Sequence, residues 1–177
     1  VDGMPIRREF GVVKAAWSAG LMVPEPLWEG RVGDGEDGDL YAMRRADGSC
    51  TTDLLTVTSP VPRTVLLGIA EQLARLHRTA LDRIRPFVTQ YDPELFHQSA
   101  SDAVRKRLTA WDALWRSAPR LPSVLEQHLL GWLYRNLPDN PEPPSLVHGD
   151  CSPHNCLWDG ERLTAVIDWE WGHFGDP

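Results

Sequence analysis

Residues 148–155 read His-Gly-Asp-Cys-Ser-Pro-His-Asn, and twelve positions further on residues 167–170 read Ile-Asp-Trp-Glu. Between them, Cys156-Leu157-Trp158 and Leu163-Thr164-Ala165-Val166-Ile167 are apolar runs on either side of the polar turn Asp159-Gly160-Glu161-Arg162. Two such runs joined by a turn of this composition form a β-hairpin. Asp150 and Asn155 bracket a loop of four residues. The hairpin returns the chain so that Asp168, at the end of its second strand, faces that loop. Three oxygen-bearing side chains then converge on one edge of a small sheet. Carboxylates and an amide oxygen are hard donors suited to Mg²⁺, which keeps several waters and accepts phosphate oxygens. A further carboxylate beside them can orient a hydroxyl and take its proton. Phosphoryl transfer needs this combination, because its catalysis is mostly positioning and charge neutralisation.

Working outward, Leu146-Val147 is a short strand running into His148, behind a proline-rich break at 138–144. Residues 60–138 have helical character. Pro62 opens a helix with the stripe Leu66, Ile69, Leu73 and Leu76. A second helix spans 101–118, with Val104, Leu108, Trp111 and Trp115 on one face. A third runs from 123 to about 137, with Leu125, Leu129, Trp132 and Leu133 directed inward. The first segment, 7–19, carries Phe10, Val13 and Trp17 at helical spacing and stops at Gly20. Val23-Pro24-Glu25-Pro26-Leu27-Trp28 must be extended, 30–39 is a loop, Leu40-Tyr41-Ala42-Met43 is a short strand, and Asp47-Gly48 is a turn. His77, His97 and His128 lie in or between helices without paired ligands and read as surface or hydrogen-bonded positions.

The composition is that of a folded protein: of 177 residues, 42% are hydrophobic and 24% charged. The net charge of −7 comes with no basic block, which argues against nucleic acid and anionic membranes as partners. No apolar run approaches the ~20 residues of a membrane span. The three cysteines, Cys50, Cys151 and Cys156, are too few for a disulfide framework and fit a reducing cytoplasm. Val1 at the start and Phe174-Gly175-Asp176-Pro177 at the end read as the limits of a piece of a longer chain.

The ordered set His148-Gly149-Asp150-Cys151-Ser152-Pro153-His154-Asn155, Ile167-Asp168-Trp169-Glu170 and Gly175-Asp176-Pro177 closely resembles the aminoglycoside phosphotransferase family. That family is also similar to choline and homoserine kinases. The Asp-Trp-Glu form looks most like a broad subgroup of small-molecule phosphotransferases related to acyl-CoA-dehydrogenase-associated domains. The resemblance implies an α+β, protein-kinase-like fold: a partial nucleotide-binding lobe over 1–44 and a mainly helical catalytic lobe over 45–177 that carries the catalytic hairpin. It implies transfer of the γ-phosphate of ATP, with Mg²⁺, to a hydroxyl of a small molecule. Asp150 is then the catalytic base, Asn155 and Asp168 hold the metal, and His148 and Gly149 support the loop. Asp176 is expected to cap a following helix. Arg8-Glu9-Phe10 resembles the family's early helix, whose glutamate pairs with the nucleotide-binding lysine; Glu9 takes that role. Leu40-Tyr41-Ala42-Met43-Arg44 resembles the strand leading to the interlobe hinge, which places Met43 and Arg44 beside adenine. The phosphate-covering loop and lysine of the family would lie before Val1, since Lys14 follows Glu9 on the same helix.

Other patterns compete. Gly33-Asp34-Gly35-Glu36-Asp37-Gly38 fits Gly-x-Gly-x-x-Gly, but its acidic positions would repel phosphate and a strand follows it, so it reads as a hairpin loop. His148, Cys151, His154 and Cys156 are zinc-type ligands, but four of them crowd one short loop, whereas structural zinc sites draw on separated pairs. The remaining alternative is a non-catalytic kinase-like binding module or inactive fragment, against which the retained Asp150, Asn155 and Asp168 argue.

Overall fold

The computed structural model describes residues 5–33, 38–50, 61–89, 94–117 and 123–177. Helix α1 (Ile6–Ser18) starts after Pro5, whose carbonyl accepts from the amides of Arg8 and Glu9. It stops where Gly20 turns left-handed at φ 79°, while the Gly20 and Leu21 amides return to the Trp17 and Ala16 carbonyls. Only glycine adopts that conformation without steric cost. Phe10, Val12, Val13, Ala15 and Ala16 are buried, so α1 is wrapped rather than striped. Trp17, expected inside, is 45% exposed, because the small Ala15 and Ala16 hold the close-packed face and leave the indole at the rim.

Strands β1 (Pro26–Arg31) and β2 (Asp39–Met43) form an antiparallel pair beside α1. Strand β1 extends into the region expected to be loop. The Val32 amide bonds the Gly38 carbonyl across the hairpin end; Asp34, Gly35, Glu36 and Asp37 lie outside the described residues.

Helix α2 (Arg63–His77) follows Pro62 as expected, but its buried line is Val65, Ile69, Gln72 and Leu76. Leu66 is 46% exposed. The rotation brings Gln72 inside, where its side-chain oxygen accepts the Met22 amide at 2.8 Å, so a polar residue satisfies a backbone donor that would otherwise be orphaned. Helix α3 (Leu81–Val88) had no sequence signal, because Pro86 inside it reads as a breaker. Helix α4 (Ala100–Ser117) and helix α5 (Val124–Arg135) follow; Ser123 and Glu126 close a reciprocal capping box at the start of α5. The expected inward face of α5 is exposed instead: Leu125 is 66% and Trp132 52% accessible, and only Leu130 is buried. No described element packs over that face, so helical periodicity alone could not decide its burial.

The end of the chain carries two more antiparallel pairs. Strand β3 (Ser145–Val147) pairs with β6 (His173–Gly175), and β4 (Cys156–Asp159) with β5 (Arg162–Val166). Leu146, Val166 and Trp169 enter one core with Val13, Val65, Ile69 and Leu76. The Val166 amide bonds the Met22 carbonyl at 2.7 Å, which ties the hairpin to the segment after α1. No helix among the described residues is long and apolar enough to cross a membrane.

Candidate active site

The loop between β3 and β4 is built around two buried polar side chains. His148, 1% exposed, donates from Nε2 to the Ile167 carbonyl at 2.9 Å, and its Nδ1 accepts the Asp150 amide at 3.3 Å. One ring thus fastens the loop to the end of β5, and burial holds its pKa below the ordinary histidine value. The ring packs on Trp169 with centroids 4.5 Å apart, and the Trp169 indole donates to the Val166 carbonyl. Asn155, 4% exposed, donates from Nδ2 to the Asp150 carbonyl at 2.9 Å and to Asp150 Oδ2 at 3.1 Å. The Asn155 carbonyl accepts the Ile167 amide at 2.9 Å.

Gly149 sits at φ 88°, and a Cβ there would lie 2.4 Å from the Trp171 carbonyl oxygen. Both the left-handed backbone and the close approach require glycine. The Asp150 side chain remains 45% exposed, with His154 Nε2 at 3.7 Å from Oδ2. Ser152 Oγ hydrogen-bonds His154 Nδ1.

Asp168 follows Ile167 with φ 63°, the one described non-glycine residue in the left-handed region. Aspartate tolerates that conformation better than most residues, and strain of this kind concentrates at functional sites. Its exposed carboxylate stands at the same hairpin end as Asn155. The three residues therefore belong to one hydrogen-bonded unit: Asn155 grips Asp150 directly, and both its carbonyl and the His148 ring grip Ile167, the residue before Asp168.

Glu9 reaches this end from α1. It accepts the Tyr41 hydroxyl at 2.6 Å, and Phe10 stacks on the Tyr41 ring at 5.1 Å. Burial raises the Glu9 pKa above the usual carboxylate value; the Tyr41 hydrogen bond opposes that, and the Asp168 and Glu170 charges add to it. Burial, and then Glu9, push the Tyr41 hydroxyl up strongly. Acidic groups from α1 and from the hairpin end thus face a common region, where a cation would relieve their repulsion.

The other sequence-selected residues are placed differently. Lys14 pairs with Glu29 at 3.0 Å and lies over the Phe10 ring. Met43 ends β2 opposite Pro26, which has no N–H to donate, and packs against the core. The Arg44 amide bonds the Glu25 carbonyl, and its guanidinium the Glu25 carboxylate at 2.6 Å. Asp176 accepts from the Asn140 side chain. The thiolate–imidazole alternative fails for a physical reason: both His148 nitrogens are engaged, and no group of three or more His, Cys, Asp or Glu among the described residues is arranged to hold a metal. Tyr41 and Trp169 were missed, and only the position of Trp169 between two acids hinted at a role.

The donor chemistry fits Mg²⁺. With Nδ2 committed to Asp150, Asn155 keeps Oδ1 as a hard donor, and Asp168 supplies an exposed carboxylate. Two protein donors suffice, because Mg²⁺ takes one or two side chains and completes its shell with water and phosphate oxygens.

A model of the phosphotransferase enzyme family matches residues 4–177. Acyl-CoA dehydrogenase family member 11 of Pongo abelii is 30% identical over 176 residues, which are 97% of this chain and 22% of that protein. Hygromycin-B 4-O-kinase of Escherichia coli is 30% identical over 179 residues, which are 90% of this chain and 46% of that enzyme. Among solved structures, a thermostable mutant of aminoglycoside phosphotransferase APH(4)-Ia, in ternary complex with AMP-PNP and hygromycin B, aligns with a TM-score of 0.60 and 25% identity. The alignment covers 98% of this chain and 58% of that one. The chain thus spans less than two thirds of each relative. The likeness bears out the α+β, protein-kinase-like architecture expected from residues 148–170.

Proposed function

The chain belongs to the phosphotransferase enzyme family, and on that premise we propose that it transfers the γ-phosphoryl group of ATP to a hydroxyl of a small molecule. The observation that carries this reading is the bonding of Asp150, Asn155 and Ile167-Asp168 into one unit through Asn155 and His148. Residues 1–44 contribute to the nucleotide side and 45–177 to the catalytic side. Nothing in the composition calls for nucleic acid or a membrane, and the cytoplasm is the compartment that suits the free cysteines.

Asp150 orients the acceptor hydroxyl and takes its proton as the phosphoryl group transfers. Asn155 Nδ2 occupies Oδ2 of that carboxylate, which leaves Oδ1 for the acceptor. His148 keeps its proton on Nε2, holding Ile167 and so fixing where Asp168 emerges. Asn155 Oδ1 and Asp168 would hold Mg²⁺. When bound, the ion supplies neutralisation of the nucleotide phosphates. Glu9, fixed by Tyr41, closes the site from α1 and is placed to pair with a cationic group on the nucleotide side. The end of β2, at Met43 and Arg44, borders the base.

The test is label transfer from γ-labelled ATP to a panel of hydroxyl compounds in the presence of Mg²⁺. The wild-type chain transfers label, and Asp150→Ala lowers the rate by about two orders of magnitude or more. Near-normal transfer by Asp150→Ala contradicts the assignment. Nucleotide binding with no transfer to any acceptor favours a kinase-like binding module.

A further inference from the structure

Two side chains of the β3–β4 loop, Ser152 and His154, stand against the base without belonging to the metal-holding pair. The loop folds back in two tight turns. The Ser152 amide returns to the Asp150 carbonyl at 3.1 Å, and the Asn155 amide to the Ser152 carbonyl at 2.9 Å. Pro153 opens the second of them, a single 3₁₀ turn over Pro153–Asn155, because its fixed φ suits a first helical position. The turns gather three side chains into one cluster. His154 Nε2 is 3.7 Å from Asp150 Oδ2, and Ser152 Oγ hydrogen-bonds His154 Nδ1.

The ring has one consistent arrangement of its donors. A carboxylate oxygen only accepts, so Nε2 must face Asp150 with its hydrogen. Nδ1 of the neutral imidazole is then an acceptor, and the Ser152 hydroxyl is the donor that fills it. Ser152 Oγ also lies 3.4 Å from Nε2, but it is nearer to Nδ1 and so sits behind the Nε2 hydrogen, which is left to the carboxylate. The tautomer follows from the partners on both sides of the ring.

The base needs this second hold. Asn155 Nδ2 bonds Oδ2 at 3.1 Å, yet the Asp150 side chain is 45% exposed. One hydrogen bond leaves the carboxylate free to turn about its bond to Cβ, while water competes for both oxygens. A second donor on the same oxygen fixes the plane of the group and leaves Oδ1 open to the acceptor. Phosphoryl transfer depends on placement of this kind. A separation of 3.7 Å is longer than a direct hydrogen bond. Catalytic contacts are often this loose before substrate arrives and tighten in the reacting complex.

We propose that His154, its ring set by Ser152, positions the catalytic base: Nε2–H shares Asp150 Oδ2 with the Asn155 amide and leaves Oδ1 aimed at the acceptor hydroxyl. His154 is a positioning residue that acts through Asp150, so its loss slows transfer without weakening nucleotide binding. The catalytic half of the proposal rests on the phosphotransfer reading; the arrangement of the three side chains does not.

The arrangement is tested by the nitrogen and proton resonances of the His154 ring, assigned with His154→Gln. The wild-type chain shows a protonated Nε2 and an accepting Nδ1; the Nε2 proton moves upfield in Asp150→Ala, and the Nδ1 signal shifts in Ser152→Ala. A protonated Nδ1 with a bare Nε2, or an Nε2 proton indifferent to Asp150→Ala, overturns the arrangement and the proposal with it. The catalytic half is tested by single-turnover transfer from γ-labelled ATP, at one pH, to whichever compound of the hydroxyl panel the wild-type chain phosphorylates fastest. His154→Leu slows transfer about tenfold or more, the scale of a misplaced reacting group, with ATP affinity unchanged. His154→Gln, whose amide nitrogen can stand in for Nε2, recovers most of the rate, and Ser152→Ala loses less than His154→Leu. Equal rates in His154→Gln and His154→Leu, or ATP affinity that falls in step with the rate, overturn the positioning role. Transfer to no acceptor by the wild-type chain overturns the catalytic half together with the phosphotransfer reading and leaves the arrangement standing.

Discussion

The Asn155 amide holds Asp150 twice, through its carbonyl at 2.9 Å and its carboxylate at 3.1 Å. Asn155→Ala removes both bonds inside a nearly closed environment and is expected to lower stability by about 2–3 kcal/mol in urea unfolding. Asn155→Asp replaces a donor by a second carboxylate against Asp150. That like-charge contact makes Asn155→Asp at least as destabilising as Asn155→Ala in the same urea unfolding at neutral pH.

His148 joins Asp150 to Ile167 with one ring. His148→Phe keeps the ring against Trp169 but strands the Ile167 carbonyl and the Asp150 amide. The expected loss is about 2–4 kcal/mol, from two buried backbone groups left unpaired. Label transfer falls further than the lost stability explains, measured where both proteins are folded, because Asp168 is no longer fixed.

Gly149→Ala meets the Trp171 carbonyl at 2.4 Å with φ at 88°. Left-handed strain and the clash together cost about 2–3 kcal/mol. A melting temperature equal to that of the wild type contradicts the described loop conformation.

Burial lowers the pKa of His173 to about 4, against 6.5 for the unfolded group. Between those values the unfolded chain binds more protons than the native one, so stability is complete above pH 6.5 and falls as pH drops towards 4. This group accounts for up to about 3 kcal/mol of that loss. In phosphate-free buffer, His173→Gln flattens the slope of unfolding free energy against pH in this window. An unchanged slope shows that His173 is not buried neutral.

The hairpin and the positions of Asp150, Asn155 and Asp168 could be read from sequence, because two apolar runs about a polar turn leave one pairing that buries Val166 and exposes Asp168. Other features turn on contacts between distant segments. Gln72 is inside because Met22, fifty residues earlier, needs an acceptor. Glu9 accepts the Tyr41 hydroxyl across a pairing no local pattern encodes. Pro86 hid α3, since a proline inside a short helix carries the signal of a break. The exposed leucines of α5 repeat as a core stripe would, because periodicity reports amphipathicity and not what lies opposite.

The claim that Asn155 and Asp168 hold the metal while Asp150 serves the acceptor is tested most directly by the paramagnetic resonance of Mn²⁺, standing in for Mg²⁺, titrated with ATP into the wild-type and variant chains. The account predicts that Asp168→Asn and Asn155→Ala weaken Mn²⁺–ATP binding while Asp150→Asn leaves it intact, with label transfer lost in all three. Mn²⁺–ATP binding that is unaffected by Asp168→Asn and Asn155→Ala contradicts it.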